Sequence, residues 1–543
     1  MLLNNRRTLG LGSWDDINSN FHWDIPDAFS IHESCCDSLA RADPNRTAII
    51  DLNDAENRRI WTYGDLKDAS DRLAAKLAGI GVGQGDRVAI LMSQRAEVLV
   101  AHFAIMKLGA IALPLFTLFG EDALKYRLSD SGAIVAICEG ASLAKLNAIA
   151  PDTSLRAVIA TDIATGGMEG LRLFDWNTAM SAENQLELPR IGPEDPAVLI
   201  YTSGTTGSPK GALHAHRFLI GHLPSVEMVF EGFPKNGDVA WTPADWAWIG
   251  GLMDLAMPAL YFGVPLVACR MRKFDADAAY QLLRDEGVTV SFLPPTALKL
   301  MRQVTVPEGL KLRAVSSGGE SLGADLLEWG RDDLGAPINE LYGQTECNLV
   351  VSSCAGLGVQ KAGTMGRPVP GHQLTILDGA GNEMPRGENG EIAIRSPDPV
   401  MFLGYWSQPE KTKEKFAGDW LRTGDLGFQD DDGYVTYVSR DDDIITSAGY
   451  RIGPTEIENC LTGDPDVIMA AVVGLPDPVR TEAVTAFVVL RSDAQKDGLE
   501  DRLKDRVASR VSPHMAPREF RFVDSLPTTA TGKVMRRALR DAG

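Results

Sequence analysis

Short apolar runs alternate with helix-like segments through about the first 300 residues, and this alternation restricts the fold more than any other feature. Thr62 can cap a helix that continues through Leu77. The apolar runs Arg87–Leu91 and Ile111–Leu115 flank a second helix, predicted at about Arg95–Leu108. Strands separated by helices in this order indicate parallel sheets that are covered by helices.

The pattern changes beyond about residue 365, where turn-rich segments separate strand-like runs. Gln373–Leu377 and Gly390–Ser396 predict a hairpin in a small β-barrel-like region. A helix from Pro454, two paired strands and a helix at about Leu499–Val511 predict a small α+β unit. We therefore predict an α/β fold with a large N-terminal domain of helix-covered sheets at 1–438, a hinge at 439–443 and an α+β C-terminal domain at 444–543.

Composition and charge exclude several classes of protein. Of the 543 residues, 44% are hydrophobic and 23% are charged, which is typical of globular proteins. The net charge of −20 argues against nonspecific binding to nucleic acid or to an anionic membrane, because both need a basic surface. The seven cysteines show no metal-binding spacing, which favours reduced thiols in a cytoplasmic protein.

Two segments could be mistaken for export or membrane signals. No adequate apolar stretch follows Arg6 and Arg7, so we predict no export signal. The longest apolar run, Gly250–Cys269, approaches membrane length, but Asp254 and two prolines interrupt it. We predict a buried helix, turn and strand there, and no insertion into a membrane.

A loop rich in glycine, serine and threonine follows a predicted strand at Asp195–Thr202. Glycines let backbone N–H groups turn towards phosphate oxygens, hydroxyl groups add donors, and Lys210 supplies a cation. The spacing does not match the GxxxxGK[ST] loop of the Walker A motif. Many such loops are flexible surface loops, but this string favours phosphate binding, with a helix following from His214. The predicted contacts are Thr202, Ser203, Gly204, Thr205, Thr206, Gly207, Ser208 and Lys210.

The string YTSGTTGSPKG at Tyr201–Gly211 resembles the signature loop of the adenylate-forming (ANL) superfamily. That superfamily comprises acyl-CoA synthetases, adenylation domains of nonribosomal peptide synthetases and luciferases. Other segments resemble the family in the same order along nearly the whole chain. The resemblance, strongest to medium-chain acyl-CoA synthetases, implies an AMP-forming acid–thiol ligase that uses ATP, Mg²⁺ and CoA. It also implies that the C-terminal domain is mobile.

NELYGQTE at Asn339–Glu346 resembles the family segment that holds adenine, the α-phosphate and Mg²⁺. By that resemblance Tyr342 stacks on adenine, Thr345 contacts the α-phosphate, and Glu346 holds Mg²⁺. A hard cation prefers such carboxylate oxygens. SGGESL at Ser317–Leu322 resembles the segment that packs against adenine. The implied nucleotide contacts are Gly318, Gly319, Glu320, Glu340, Tyr342, Gly343, Gln344 and Thr345.

Two further segments complete the implied catalytic site. WLRTGDLG at Trp420–Gly427 resembles the ribose-binding segment, in which Asp425 accepts hydrogen bonds from the ribose hydroxyls and Arg440 adds a contact. LPTTATGKVMRR near the C-terminus resembles the segment that places Lys533 between the substrate carboxylate and the α-phosphate. The implied catalytic residues are Lys533, Glu346, Thr205 and Arg451.

The resemblance implies a reaction in two steps. The carboxylate attacks the α-phosphate of ATP and releases pyrophosphate, and the thiol of CoA then attacks the acyl carbon and releases AMP. Between the steps the C-terminal domain rotates about a hinge at Asp442, and the loop Ser447–Gly453 swings in to line the CoA tunnel. The implied CoA contacts are Ser447, Ala448, Gly449, Tyr450 and Arg480.

The predicted acyl pocket comprises Trp246, Trp248, Gly250 and Gly343. Acetate-specific relatives carry a Trp where this chain has Gly343, so the missing indole predicts room for a larger acid. Trp248 matches an aromatic wall of the family, whereas Trp246 replaces a smaller residue and could narrow the tunnel. Both indoles could instead belong to the core. We predict a short-chain, medium-chain or branched acid, and leave aromatic and sulfur-containing acids open.

Two other functions remain open. The acyl group could be transferred to the thiol of a separate carrier protein instead of to CoA. A nucleotide-binding protein without catalysis would be expected to lack Lys533 or Glu346, and both are present. The predicted partners are a carboxylic acid, ATP and CoA, and a homo-oligomer is compatible with the sequence.

Overall fold

The computed structural model describes residues 6–10, 12–53, 58–163, 168, 170–183, 186–202, 208–320, 322–440, 443–447, 450–477, 480–529 and 533–542. Its α/β architecture agrees with the prediction. Two large sheets form the N-terminal part, and two smaller sheets follow along the chain.

The first large sheet has eight strands in the described part of the chain, and six neighbouring strands of it are parallel, as the alternation predicts. Helices connect these strands, so both faces of the sheet are covered. In spatial order the strands are Gly404–Tyr405, Lys210–Ala215, Pro196–Thr202, Ile111–Pro114, Arg87–Leu91, Val135–Glu139, Ala157–Thr161 and Arg172–Asp175.

The second large sheet has nine strands in the described residues, with a parallel centre and antiparallel edges. Its strand ends carry several of the predicted site residues. In spatial order the strands are Arg367–Pro368, Cys347–Ser352, Ile338–Gln344, Ala314–Gly318, Val290–Phe292, Ala240–Trp241, Leu266–Ala268, Thr47–Asp51 and Arg59–Thr62.

The predicted helix cap at Thr62 is present. The Thr62 hydroxyl accepts a hydrogen bond from the Asp65 N–H, and the Asp65 carboxylate accepts one from the Thr62 N–H. The principal α-helices are Trp14–Asn20, Tyr63–Gly79, Ala96–Lys107, Glu121–Ser131, Leu143–Ile149, Phe218–Val229, Met257–Phe262, Ala276–Asp285, Pro295–Met301, Ala324–Asp332, Pro409–Glu414, Pro454–Thr462, Leu499–Arg510 and Arg536–Asp541.

The longest apolar run folds as the predicted buried helix, turn and strand. Helical residues 249–262 include a π-helical turn at Leu252–Ala256, and the strand Leu266–Ala268 follows. Among the described residues, no helix combines the length and the hydropathy that crossing a membrane requires.

The smaller sheets are antiparallel in most of their pairings. The third sheet contains Leu374–Leu377, Gly390–Arg395, Trp420–Gln429, Phe416–Ala417 and Val435–Arg440. The C-terminal sheet contains Tyr450–Ile452, Ile445–Ser447, Thr481–Leu490, Val467–Asp477 and Glu519–Phe522. The helix Leu499–Arg510 buries Leu499, Leu503 and Val507 in a separate C-terminal core, as its four-residue spacing predicts.

The helix predicted from His214 is wrong. Lys210–Ala215 is a strand that pairs antiparallel with Pro196–Thr202, and the next helix spans Phe218–Val229. Most of the strand is buried, and a run buried on both faces lacks the alternation that distinguishes a strand from a helix. The glycine-rich loop therefore joins two strands, whereas a Walker A loop leads from a strand into a helix.

Charged side chains fix both ends of the predicted linker at 439–443. Near its start, Arg440 lies opposite Asp425 in the third sheet, with Arg440 Nε 3.7 Å from Asp425 Oδ1. At its end, Asp443 lies 3.3 Å from Arg536 and 2.6 Å from Arg540, both in the last helix. The start of the linker is thus tied to the third sheet, and its last residue to the C-terminal unit.

Candidate functional site

A cavity of about 470 Å³ lies between the two large sheets, the third sheet and the C-terminal unit. Segments that are far apart in sequence reach it from strand ends and loops. The predicted site residues that line it are Thr202, Lys210, Trp248, Gly250, Gly318, Gly319, Glu320, Glu340, Tyr342, Gly343, Gln344, Thr345, Glu346, Asp425, Arg440 and Lys533.

Other predicted site residues lie elsewhere. Ser208, Trp246, Ser447, Tyr450 and Arg480 are described but do not line the cavity. Ser203, Gly204, Thr205, Thr206, Gly207, Asp442, Ala448 and Gly449 lie outside the described residues, as does the side chain of Arg451.

Lys533 reaches the cavity from near the C-terminus. The Thr529 N–H donates to Lys533 O over 2.8 Å. The adjacent Val534 N–H donates to Glu320 Oε1 over 3.4 Å, which connects this part of the chain to the segment that contains Gly318 and Gly319. Partial exclusion of water, and then the positive charge of Arg440, hold the pKa of Lys533 below its ordinary value. The residue nevertheless remains exposed where the cavity opens.

Tyr342 and Asp425 form a buried pair on one wall of the cavity. The Tyr342 hydroxyl donates to Asp425 Oδ2 over 2.8 Å, and Gln344 Nε2 donates to the same oxygen over 3.4 Å. Burial raises the pKa of Tyr342 well above its usual value, so the phenol stays protonated and remains a donor. These contacts orient the carboxylate that the resemblance assigns to the ribose.

Glu346 and Lys210 meet around a tyrosine that sequence reasoning missed. The Tyr405 hydroxyl donates to Glu346 Oε1, and the Lys210 ammonium lies 5.0 Å from the centre of the Tyr405 ring. Burial, and then the charges of Lys411 and Lys415, lower the pKa of Lys210. The concentration of positive charge around one carboxylate suits a polyphosphate with its cation.

A lone carboxylate in this position fits Mg²⁺. In the described residues, no group of three or more His, Cys, Asp or Glu side chains could hold a metal ion by itself. Mg²⁺ is commonly bound by one or two carboxylates together with substrate phosphates and water. Glu346 lines the cavity and commits Oε1 to Tyr405, so Oε2 is the oxygen suited to a nucleotide-bound cation.

The backbone at Gly318 and Gly319 requires glycine. A Cβ on Gly318 would collide with Leu341 of the neighbouring strand, and Gly319 adopts a φ of +95°. Below them Glu340 is buried, with the Leu322 N–H donating to its Oε1 over 3.4 Å. Burial raises the pKa of Glu340 from 4.5 to about 8, so its carboxyl group is largely neutral near pH 7.

The acyl side of the cavity agrees only partly with the prediction. The Trp248 indole lies over Gly250 and beside Phe292, with the two ring centres 5.8 Å apart. Trp246 is 1% exposed and belongs to the hydrophobic core, so it does not narrow the cavity. Its indole fills space in the core. The local sequence pattern does not distinguish such an indole from one that lines a tunnel.

Gly343 does not open the space that was predicted from its missing indole. The residue lies at an irregularity between Ile338–Gln344 and Cys347–Ser352. A Cβ there would collide with the backbone of Asn348 and Leu349, so backbone fills the place where the prediction put empty space. Gly343 is needed for the close approach of two strands.

The described members of the predicted CoA-binding set belong to the C-terminal unit and do not line the cavity. Ser447 is buried and pairs with Thr481, while Tyr450 is 54% exposed and stacks on His514 at a centroid distance of 4.4 Å. Arg480 lies 3.8 Å from Asp477. The adenylation and CoA residues are thus separated in this structure.

Two family descriptions match this chain. The description "AMP-binding enzyme" matches residues 36–406, which is more than half of the chain. The chain belongs to this family. The description "AMP-binding enzyme C-terminal domain" matches residues 456–533, and so ends at Lys533.

Relatives of this AMP-binding enzyme are acyl-CoA synthetases. An acetyl-coenzyme A synthetase of Bacillus subtilis is 32% identical, over 91% of this chain and 87% of its own. The mitochondrial acyl-coenzyme A synthetase ACSM4 of Homo sapiens is 32% identical, over 96% of this chain and 90% of its own. These relatives confirm the predicted class, an AMP-forming acid–thiol ligase that uses ATP and CoA.

Solved structures similar to this AMP-binding enzyme include two ligases of aromatic acids. An anthranilate CoA ligase in complex with anthranoyl-AMP has a TM-score of 0.86 at 28% identity, covering 96% of this chain and 98% of that one. A benzoate CoA ligase from Burkholderia xenovorans has a TM-score of 0.82 at 28% identity, covering 94% of this chain and 100% of that one. The fold class is therefore confirmed.

The cavity of this AMP-binding enzyme also has polar lining residues that the sequence did not predict, among them Tyr405, Lys415, Asp254 and Asn348. Tyr405 and Lys415 contact predicted site residues that are distant in the chain, so no local spacing reveals them. Asp254 and Asn348 lie at the acyl side. The sequence did contain a signal for Asp254. Burial of a carboxylate is costly, so a carboxylate within a long apolar run indicates a specific role.

The raised pKa of Glu340 predicts a pH-dependent stability. Between about pH 5 and pH 7 the unfolded carboxyl ionises while the folded one stays protonated. The unfolded state then holds fewer protons, and stability falls as the pH rises. Glu340→Gln should remove this dependence, which is worth on the order of 2 kcal/mol over that interval. Urea unfolding without nucleotide at several pH values would measure this dependence.

An exposed glutamate, Glu308, provides the control, and Glu308→Gln should retain the wild-type slope of stability against pH. Parallel profiles for Glu340→Gln and wild type would contradict the assignment to Glu340.

Proposed function

We propose that this AMP-binding enzyme adenylates a short-chain, medium-chain or branched carboxylic acid with MgATP and transfers the acyl group to CoA. The observation that carries the proposal is the common cavity, in which Lys533 from the C-terminal unit faces Tyr342–Glu346 and Asp425. A cation, a metal-binding carboxylate and a ribose-binding carboxylate are the groups that adenylation needs.

In the proposed first step, an oxygen of the substrate carboxylate attacks the α-phosphorus of ATP. The ammonium of Lys533 holds the two anions together and offsets the charge that accumulates in the transition state. The bond to the bridging oxygen breaks, and pyrophosphate leaves. Lys210 and the loop that precedes it, including Thr205, would hold the departing phosphates, while Thr345 contacts the α-phosphate.

Mg²⁺ would be held by Glu346 together with phosphate oxygens. The bound cation supplies neutralisation of triphosphate charge. Tyr405 positions the carboxylate through its hydrogen bond, and Tyr342 and Gly318–Glu320 enclose the adenine.

The proposed second step uses a different arrangement of the C-terminal unit. Ser447, Tyr450 and Arg480 do not line the cavity in this arrangement, which supports a separate arrangement for the CoA step. A rotation about Asp442 would withdraw Lys533 and bring in the segment that includes Ala448, Gly449 and Arg451. The domain boundaries at 438 and 444 follow from this proposal.

Assays of both half-reactions test the proposed function. Release of pyrophosphate should depend on added acid, and AMP and acyl-CoA should form in equal amounts when CoA is present. A panel from acetate to dodecanoate, with branched and aromatic members, would rank the acids by kcat/KM. Transfer to a carrier-protein thiol in preference to CoA would favour the alternative ligase, and pyrophosphate release without any acid would contradict both.

Asp425→Ala should raise the KM for ATP by about 10- to 100-fold and lower kcat less. The substitution removes the acceptor for two ribose hydroxyls, and also the partner of Tyr342. Initial rates of ATP–pyrophosphate exchange at varied ATP would measure the change. Asp419→Ala, at an exposed position outside the cavity, is the matched control. An unchanged KM for ATP in Asp425→Ala would refute the ribose assignment.

A further inference from the structure

The acyl side of the cavity carries a polar pair, Asp254 and Asn348. Both residues line the cavity, yet Asp254 is 2% exposed and Asn348 is 4% exposed, so they belong to its deep wall. Asp254 follows Gly250 by one helical turn, and the backbone of Asn348 lies directly behind Gly343. The pair therefore adjoins the two glycines of the acyl pocket.

A third buried residue fixes the orientation of the pair. His222 donates from Nδ1 to Phe218 O over 2.7 Å, and its Nε2 accepts from Asn348 Nδ2 over 3.0 Å. Burial lowers the pKa of His222 to about 3, so the ring is neutral and can accept in this way. The other hydrogen of the Asn348 amide goes to Asp254 Oδ1. Both amide hydrogens are thus used, and the Asn348 carbonyl oxygen is directed away from His222.

Two oxygen atoms of the pair remain available to a ligand. Asp254 Oδ2 and Asn348 Oδ1 form no hydrogen bond with the described residues, and neither is completely shielded from the cavity. Burial holds the pKa of Asp254 well above its usual range, and no ion pair with a described cation offsets this. Burial thus favours the neutral form of the carboxyl group. In that form Oδ1 accepts from Asn348, so Oδ2 is the oxygen suited to carry the proton.

Irregular backbone places both side chains. Asp254 lies in the π-helical turn Leu252–Ala256, and such turns are frequent at functional sites. Leu349, which follows Asn348, adopts a φ of +61°, which is uncommon for a residue other than glycine. Ser225 holds this position by donating to Leu349 O over 2.6 Å. The π-helical turn and the positive φ of Leu349 thus place Asp254, the proposed donor, next to Asn348, the proposed acceptor, on the wall of the cavity.

We propose that Asp254 and Asn348 bind a hydroxyl group at the far end of the acyl substrate, so that the preferred substrates are hydroxy acids. A hydroxyl can accept from Asp254 and donate to Asn348 at the same time, which satisfies both buried groups. A methyl or hydrogen in its place would leave both unpaired, and sites of this kind discriminate strongly against analogues that lack the polar group. This inference rests on the proposed function, because it specifies the acid that the same site activates.

The test compares acids in matched pairs that differ by one distal hydroxyl. The probes are ω-hydroxy and unsubstituted aliphatic acids of equal length, and phenolic and unsubstituted aromatic acids. In the wild-type enzyme, kcat/KM for acyl-CoA formation should favour the hydroxyl member of the best pair by about 100-fold or more. Asp254→Leu should abolish or reverse the preference. Asp254→Asn should keep most of it, because a neutral amide can still accept from Asn348 and donate to the hydroxyl.

The outcomes are distinct. A wild-type preference for the unsubstituted members would overturn the inference while leaving the proposed function intact, and this comparison needs no variant to fold. An equal loss for both members in Asp254→Leu, with an unchanged melting temperature, would also overturn it. Failure of every acid to release pyrophosphate would overturn the proposed function, and the inference with it.

Discussion

Lys533→Ala should lower the rate of adenylation at least about 100-fold, while the enzyme still converts supplied acyl-adenylate and CoA into acyl-CoA. The loss follows from the position of Lys533 at the cavity, where its ammonium lies in the field of Arg440 and Asp425. Arg536 of the same segment also lines the cavity, but its guanidinium is paired with Glu458 and Asp443. In the proposed second half-reaction other residues of the C-terminal unit act, so that step should be nearly unaffected. Acid-dependent ATP–pyrophosphate exchange measures the first step, and acyl-CoA formation from synthetic adenylate measures the second.

Lys496→Ala is the matched control for this experiment, since Lys496 is an exposed lysine of the same unit outside the cavity. Both half-reactions should keep their wild-type rates in that variant. An equal loss of both half-reactions in Lys533→Ala would show that the lysine supports the fold or a shared step, and would refute its assignment to adenylation.

Glu346→Gln should lower adenylation by about 100-fold or more and raise the Mg²⁺ concentration that gives half-maximal rate. The amide keeps the size of the side chain but removes the charge that attracts a hard cation. Tyr405→Phe should have a smaller effect in the same direction, because it removes only the hydrogen bond that positions Glu346. Titration of the exchange reaction with Mg²⁺ measures both variants.

An exposed glutamate outside the cavity, Glu388, provides the control for charge removal. Its replacement by glutamine should leave the Mg²⁺ titration unchanged. If Glu346→Gln changed the rate but not the Mg²⁺ requirement, the metal assignment would be wrong, and Glu346 would act on the nucleotide in another way.

Much of the fold and the nucleotide side of the cavity could be predicted because their signals are local. The cap at Thr62 and the four-residue spacing of Leu499, Leu503 and Val507 are each visible within one helix. The strings around Tyr342 and Lys533 carry a family resemblance, and the structure brings both to the same cavity. Their individual roles stay predictions.

The predictions were wrong where packing between distant segments determines the structure. The strand Lys210–Ala215 has no periodicity that reveals its partner, and Trp246 could be assigned to the core only once its neighbours were known. The space expected behind Gly343 is filled by the backbone around Asn348. Tyr405 reaches Glu346 from a separate strand, and no pattern in either segment records that contact.

Charges at the two ends of the linker limit where the proposed rotation of the C-terminal unit could take place. Arg440 is held against Asp425, whereas Asp443 is held by Arg536 and Arg540. If both sets of ion pairs persist through the catalytic cycle, each end of the linker travels with its own body. The whole reorientation must then be absorbed by the backbone torsions between positions 440 and 443. Because this segment is so short, the C-terminal unit would rotate along a nearly fixed path. Lys533 would then return to the same position in every turnover.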